Sequence, residues 1–348
     1  MSFDDSSQTR PLHLHGDHLK PLTATFCNAK ISGHGEDAEP VNILRYTDFV
    51  HAGALAVFDG LGGAGSERYT DQQNREYTGA KIAADTTSKA FKRFAESVML
   101  DTPSRHRDDF ATRLDLLRNQ FFASLHIARE SYTPRPTQLR SAMRRVLPTT
   151  CASAVFINTD RSCRCNIIWA GDSRVYALSA TGLQLLTLDD VQRNSTILDR
   201  PMEMVDAPIT NCIEFGKDFV LNHLHHTFEL PVILIAATDG CFGYLKTPVH
   251  FEHLLLDKLQ SIQSMEEWRD SVADAIGQYA QDDYSMSITC CGWSDFQDVR
   301  ATFSARYSHL DTMIGRYTAD ANAVSQYPEW NEYSTHYIAR LKETSHGN

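Results

Sequence analysis

Nowhere does the chain carry the roughly 18 consecutive apolar residues that a membrane-spanning helix needs. Basic residues are in short supply as well: 33 Lys and Arg stand against 44 Asp and Glu, a formal net charge of −11. A field of that sign repels phosphate backbones and anionic lipid, so neither nucleic acid nor a membrane is the expected partner. The N-terminal Met1-Ser2-Phe3-Asp4-Asp5 has no basic stretch followed by an apolar one, so no secretory signal is expected there. The eight cysteines form no Cys-x-x-Cys and are too sparse to staple a chain of 348 residues. Reduced thiols in a cytoplasmic protein are expected, with vicinal Cys290 and Cys291 in a buried strand. With 22% charged residues, 18 Gly and 12 Pro, the composition excludes collagen-like, disordered and coiled-coil chains. No internal repeat is visible.

What is present is a globular composition, 42% hydrophobic, long enough for one large domain or two small ones with a substantial core. Residues 1–22 are polar, and His13, His15 and His18 fall in one short run. That run is expected to be a flexible terminus rather than a metal site. Ala54–Phe58 predicts a strand running into the Gly-rich Asp59-Gly60-Leu61-Gly62-Gly63-Ala64-Gly65. Apolar spacing predicts helices over about 78–96, with Ala80, Ile82, Ala83, Phe91 and Phe94 inward. A second covers about 108–130, with Leu114, Leu117, Phe121, Leu125 and Ala128 on one stripe.

From Thr150 the pattern turns to strands: Ala154–Asn158, Cys165–Ala170, Arg174–Leu178 and Leu183–Leu186, joined by turns at Asp160-Arg161-Ser162 and Thr181-Gly182. Residues 189–230 are polar and read as a long surface excursion, of a length that is often functional. A strand follows at Val232–Ala237, then a helix around 264–280 and a strand at Ser285–Cys291. Beyond 294, Leu310, Met313, Ile314 and Tyr317 form one helical stripe and Trp330, Tyr333, Tyr337 and Leu341 another.

Three aspartates sit where an apolar strand leaves the core: Asp59, Asp239 and Asp283. Glu36-Asp37 follows the turn Ser32-Gly33-His34-Gly35. Strand ends hold side chains rigidly while exposing them, which suits metal ligands. All-oxygen ligation selects Mg²⁺ or Mn²⁺ over zinc or copper. Two such ions 3.5–4 Å apart are a known device for phosphoryl transfer to water. Asp-Gly after a strand is also an ordinary turn signal. On spacing alone, both a hard-metal hydrolase and a set of turns stay open.

The wording of these segments resembles the metal-dependent PP2C (PPM) family of Ser/Thr protein phosphatases, in its bacterial style. Gly35-Glu36-Asp37-Ala38 is similar to the family's Glu-Asp motif, and Val57-Phe58-Asp59-Gly60-Leu61-Gly62-Gly63 to V-F-D-G-M-G-G. Pro148-Thr149-Thr150-Cys151-Ala152 resembles the Thr-Thr segment, and Gly171-Asp172-Ser173-Arg174-Val175-Tyr176 the G-D-S-R-x-Y motif. Leu186-Thr187-Leu188-Asp189-Asp190 resembles L-T-x-D-H. Thr238-Asp239-Gly240 and Asp282-Asp283 match the closing motifs. Seven segments in family order over about 25–293 are far more specific than any one of them.

The resemblance implies an α+β fold: a β-sandwich of two antiparallel sheets flanked by helices, with a metal cleft at one end. It implies a phosphatase domain over 23–293, leaving 1–22 as a flexible segment and 294–348 as a helical appendage packed on that domain or on a protein partner. It implies two Mn²⁺ or Mg²⁺ ions, with a third as an option. They would be held by Asp59, the Gly60 carbonyl, Asp239 and Asp283, with Glu36 and Asp37 acting through water. Asp172 is expected to orient backbone rather than bind metal. The implied reaction is hydrolysis of phosphoserine and phosphothreonine on proteins, by metal-bridging water attacking phosphorus in line. The alternatives are a PP2C-like binding module without turnover and a phosphatase of a small phosphorylated metabolite.

Two departures stand out. The family's phosphate-binding Arg, four residues before the motif's Glu, is Ser32 here, and His34 or Arg45 is the candidate replacement. The His that follows Asp-Gly in eukaryotic members is Leu61. His223, His225 and His226 lie in the 189–230 excursion and are expected to be solvated, with protonation of a leaving group as the alternative. Arg140, Arg144 and Arg145 recur at helical spacing, as a solvated face or a docking patch for acidic segments.

Overall fold

The computed structural model describes residues 20–46, 51–100, 110–135, 145–192, 207–319 and 328–345. The chain opens with β1 (Leu22–Asn28), β2 (Val41–Tyr46), β3 (His51–Val57), β4 (Arg68–Thr70) and β5 (Glu76–Thr78), then α1 (Gly79–Leu100) and α2 (Phe110–Ser131). Next come β6 (Thr133–Pro134), β7 (Cys151–Asn158), β8 (Ser162–Ala170), β9 (Arg174–Ser179), β10 (Gly182–Leu185), β11 (Asn222–Glu229) and β12 (Val232–Ala237). It closes with α3 (Pro248–Gln260), α4 (Met265–Gly277), β13 (Tyr284–Cys291), α5 (Phe296–Ala319), α6 (Pro328–Tyr337) and α7 (Ala339–Ser345).

Two five-stranded sheets carry the fold, ordered β1-β13-β12-β9-β10 and β11-β8-β7-β3-β2, and every pairing in them is antiparallel. The central strands read as unbroken apolar runs because both of their faces are covered. Side chains alternate across a strand. In β3, Leu55 and Val57 meet Phe156, Leu234 and Ala236 between the sheets. Ala54, Ala56 and Phe58 point the other way, into a core with Phe91, Phe94 and Phe121 of α1 and α2. In β12, Val232, Leu234 and Ala236 face inward, while Ile233, Ile235 and Ala237 pack under α3 and α4 with Leu255, Trp268 and Val272. A small third sheet, β5-β4-β6, stands apart from the sandwich.

Antiparallel pairing gathers the functional segments at one end. Val57 pairs with Ala152, and Ala170 with Cys151. Ala237 pairs with both Arg174 and Met286, and Asn28 with Tyr284. The chain therefore leaves β1, β3, β8 and β12, and enters β7, β9 and β13, at the same end. The sandwich expected from the sequence is the one observed.

Two readings of the chain need correction. The excursion ends at Leu221 rather than at 230, because 222–229 is β11, paired along its length with β8. Its apolar inward positions, Leu224 and Phe228, are separated by His226, which hides the period-two signal. Helix α3 had no counterpart in the sequence reading. It starts with Pro248 directly after Thr247, where a missing N–H costs nothing.

Residues beyond 294 form helices that belong to the core under the β10 edge: Phe303, Leu310, Trp330, Tyr333, Tyr337 and Leu341 are buried with Leu183, Phe251 and Leu255. Arg306 of α5 also reaches the fully buried Glu252 of α3 through two hydrogen bonds, 2.7 and 3.1 Å. These described residues of the two stripes pack on this chain's own helices and strands. Among the described residues, no helix is long and apolar enough to cross a membrane. Residues 1–19, with His13, His15 and His18, and Arg140 and Arg144 lie outside the described residues.

Candidate active site and metal centre

Asp59 leaves β3 at the shared end and is held by its backbone from several directions. Its carbonyl accepts from the Thr149 hydroxyl at 2.7 Å and from the Thr150 amide at 2.8 Å. Its amide donates to the Thr150 hydroxyl at 3.3 Å, and that hydroxyl is 2.7 Å from Ser173 Oγ. The Thr-Thr and Gly-Asp-Ser segments therefore form one clamp on the aspartate's backbone, leaving the carboxylate free to face the cleft. Thr238 instead holds the Asp37 carboxylate: its hydroxyl donates to Asp37 Oδ2 at 3.1 Å while accepting from the Ser285 amide at 2.9 Å.

A cavity of about 700 Å³ opens here, lined by Asp59, Asp172, Asp239 and Asp282 beside the Gly60–Gly63 loop. The remainder of its lining comes from Ala64, Arg145, residues 207–209 and Lys217. The carboxylates raise one another's affinity for protons. Burial, then Asp37, Asp239, Asp172 and Asp282, pushes Asp59 well above the usual carboxylate range. Burial and then Asp239 do the same to Asp172. Asp37, buried beside them, is pushed up to about 7 by burial, with Asp283 and Asp239 adding to it. Asp282 is raised by burial and by Asp283.

This cluster fits a hard divalent cation. Asp37 Oδ1 and Asp172 Oδ1 are buried with no hydrogen-bond partner, and a buried carboxylate oxygen without a donor calls for a positive charge. All the donors are oxygens, the preference of Mg²⁺ and Mn²⁺. Among the described residues, no three His, Cys, Asp or Glu side chains close on one point as a ready cage; the aspartates line the cavity wall instead.

Glycine at two positions makes the site sterically feasible. A Cβ on Gly62 would fall 1.7 Å from Glu36 Oε2, so the Glu36 carboxylate occupies the space a side chain would fill. A Cβ on Gly60 would meet the Glu36 carbonyl at 2.6 Å and the Ala80 carbonyl at 2.9 Å. Burial also raises the Glu36 carboxyl above its ordinary value.

The adjacent pair Asp282-Asp283 divides its work in a way that spacing does not reveal. Asp283 accepts from the Lys30 amide at 2.7 Å and from the Glu36 amide at 2.6 Å, which pins the loop carrying Glu36. It is Asp282 that lines the cavity. Asp172 likewise lines the cavity instead of serving backbone alone.

The candidate phosphate ligands do not reach the site. His34 and Ser32 lie on the exposed turn and do not line the cavity. Arg45 pairs with Ala52, toward the other end of β2. His223 and His225 sit on β11, both within 3.2 Å of Asn166 Oδ1, and His223 stacks on Phe110 at 4.4 Å, so they belong to the sheet edge.

Arg145 is not on a helical face. Its amide donates to the Ala64 carbonyl at 3.0 Å, and the residue lines the cleft. Lys217 also lines the cleft, although an isolated Lys in a polar stretch carries no signal in the sequence.

The Gly-Asp-Ser-Arg turn is braced from behind. Arg174 forms a bidentate pair with Asp189, 3.0 and 2.7 Å, and lies 4.4 Å over the Phe242 ring. Asp190 Oδ2 accepts from Gly171, Asn211 and Asn222 at 3.1, 2.6 and 2.9 Å, joining the turn to the foot of the excursion. None of the eight cysteines lines the cavity. Burial pushes the Cys151 and Cys212 thiols up to about 12, which leaves them unfit as nucleophiles.

No protein-family model matches the chain, and no curated protein matches its sequence. Its structure does match solved ones. It is similar to the serine/threonine phosphatase PstP/Ppp of Mycobacterium tuberculosis, at 14% identity over 78% of this chain and 99% of that one, TM-score 0.50. It is similar to the serine/threonine phosphatase Stp1 of Staphylococcus aureus, at 15% identity over 79% and 96%, TM-score 0.51. A third likeness is to a bacterial serine phosphatase, at 18% identity over 78% and 98%, TM-score 0.51. With its two antiparallel sheets and flanking helices, the chain has a PP2C-like fold.

Proposed function

We propose that this chain is a metal-dependent phosphatase of phosphoserine and phosphothreonine on proteins. The observation that carries the reading is the gathering of Asp37, Asp59, Asp172, Asp239 and Asp282 at one end of a PP2C-like sandwich, with two buried carboxylate oxygens lacking any partner. Asp59, the Gly60 carbonyl, Asp239 and Asp282 are the residues assigned to hold two Mn²⁺ or Mg²⁺ ions. Glu36 and Asp37 would act through water, and Asp172 would be available to a third ion. Cations held there acidify water and neutralise charge on the phosphoryl oxygens.

The chain's own part is positioning. Thr149 and Thr150 fix the Asp59 backbone, Thr238 aims Asp37, and Asp283 holds the loop that seats Glu36 over Gly62. These groups are set before substrate arrives, so little reorganisation is needed at the moment of reaction. The absence of any cysteine from the cavity lining supports a route without a covalent cysteine intermediate.

Hydrolysis of p-nitrophenyl phosphate and of a phosphothreonine peptide with Mn²⁺, Mg²⁺ or EDTA tests this directly. Turnover that needs the metal and vanishes in a folded Asp239→Asn variant is the expected result. A folded wild-type protein that binds Mn²⁺ yet hydrolyses neither compound would overturn it.

A further inference from the structure

We infer that Arg145, assisted by Lys217, is the residue that binds the substrate's phosphate dianion, in place of the arginine missing at position 32. This rests on the phosphatase reading above. Among the described residues that line the cleft, Arg145 and Lys217 are the only cations. One carboxylate, Glu214, holds both: Arg145 Nη1 donates to Glu214 Oε1 at 2.9 Å and Lys217 Nζ lies 3.2 Å from the same oxygen. Glu214 is 5% exposed. Two cations on one anion leave a net positive charge in a cavity whose other charged groups are aspartates.

Such a wall has no structural need of a second cation, but a dianionic ligand has. Glu214 anchors the Arg145 guanidinium rather than using it up. Nη1 donates to Glu214 and, at 3.1 Å, to Cys212 Sγ, and Nη2 donates to the Ile209 carbonyl at 2.9 Å. A guanidinium has five N–H donors. Among the described residues nothing accepts from Nε or from the second Nη2 hydrogen.

A planar fork fixed along one edge and open along the other suits bidentate binding of a tetrahedral oxyanion. The Arg145 backbone is fixed as well, by its bond to Ala64 of the Gly-rich loop. The donor is therefore locked to the same loop that follows Asp59.

The test titrates inorganic phosphate into the full-length protein with Mg²⁺, by calorimetry and as a competitive inhibitor of p-nitrophenyl phosphate hydrolysis. Wild type is compared with Arg145→Lys and Lys217→Met. Losing a charge-assisted bidentate contact weakens binding roughly 10–100-fold. Arg145→Lys is therefore expected to raise the phosphate Kd, and KM by more than it lowers kcat, while Mg²⁺ affinity holds. Lys217→Met, at a side chain 61% exposed, is expected to raise the phosphate Kd severalfold with an unchanged Tm.

Phosphate affinity unchanged in both variants overturns the inference. If Arg145→Lys fails to fold, Lys217→Met decides alone: a raised Kd supports the inference and an unchanged one overturns it. Arg145-dependent phosphate binding in a protein without turnover would leave this inference standing and sink the phosphatase reading. Turnover with unaltered KM in both variants would do the reverse.

Discussion

Gly62→Ala moves a carboxylate without touching it, and so isolates the contribution of Glu36. The added Cβ would lie 1.7 Å from Glu36 Oε2, and contacts under 3.0 Å are essentially never seen, so the carboxylate has to withdraw by at least 1.3 Å. The backbone of Gly62 is outside the left-handed region, so alanine fits its conformation. The clash falls on the far end of a flexible side chain, so relief costs little stability. Replacing Gly by Ala at a compatible site gains about 0.4–1 kcal/mol through the unfolded chain, which offsets part of that cost.

The Tm should therefore move by only a few degrees. A displacement of about 1 Å in a catalytic constellation can cost roughly 100-fold, or about 2.7 kcal/mol of barrier. The assay is kcat/KM for a phosphothreonine peptide across a Mn²⁺ titration, with thermal melts on the same samples. A drop of one to two orders of magnitude in a well-folded variant is the expected outcome. Full activity at every Mn²⁺ concentration would refute the role given to Glu36. A collapsed Tm would refute the claim that the side chain yields.

Arg306→Met leaves the fully buried Glu252 without its partner, and should cost about 3–5 kcal/mol in denaturant unfolding. The double variant with Glu252→Gln should recover part of that, and no recovery would mean the pair is not coupled. Trp330→Ala empties a site 5% exposed on the sheet face beneath β10 and should lose about 3–5 kcal/mol. KM should stay unchanged there, since no residue after Asp282 lines the cleft among those described; a shifted KM would tie the C-terminal helices to catalysis. His250, half-buried and 2.8 Å from the Thr247 hydroxyl, has its pKa lowered to about 4 by burial and by the charges of Lys246 and His253. The unfolded chain therefore takes up this proton first, and the contribution is complete above about pH 6.5 and lost as pH falls toward 4. Discounted for partial exposure it amounts to roughly 1–2 kcal/mol. The fall in Tm between pH 7 and 5 should be smaller in His250→Gln, and an equal fall would remove His250 from the account.

The sequence alone determined that the central strands are covered on both faces, while the arrangement as a sandwich of two antiparallel sheets was implied by the resemblance of its motifs. Leu55 and Val57 go one way and Ala54, Ala56 and Phe58 the other, and such a run has no stable place except between layers. It also placed Asp59, Asp239 and the Asp282-Asp283 pair at strand ends, since a charged residue closing an apolar run has to leave the core. Which of two adjacent carboxylates faces the cavity was not determined there. The pair lies just ahead of β13, and the placement of that strand against β1 and β12 brings Asp282 to the cavity and Asp283 to the amides of Lys30 and Glu36.

Tertiary structure also assembled the cationic wall. Arg145, Glu214 and Lys217 come from segments about 70 residues apart that meet through Thr149 and Ile213, and no local pattern encodes that meeting. The same holds for the C-terminal helices. Their apolar stripes declared a buried face, but a stripe records only that something covers it. The fold supplied the cover as α3 and β10 of the same chain.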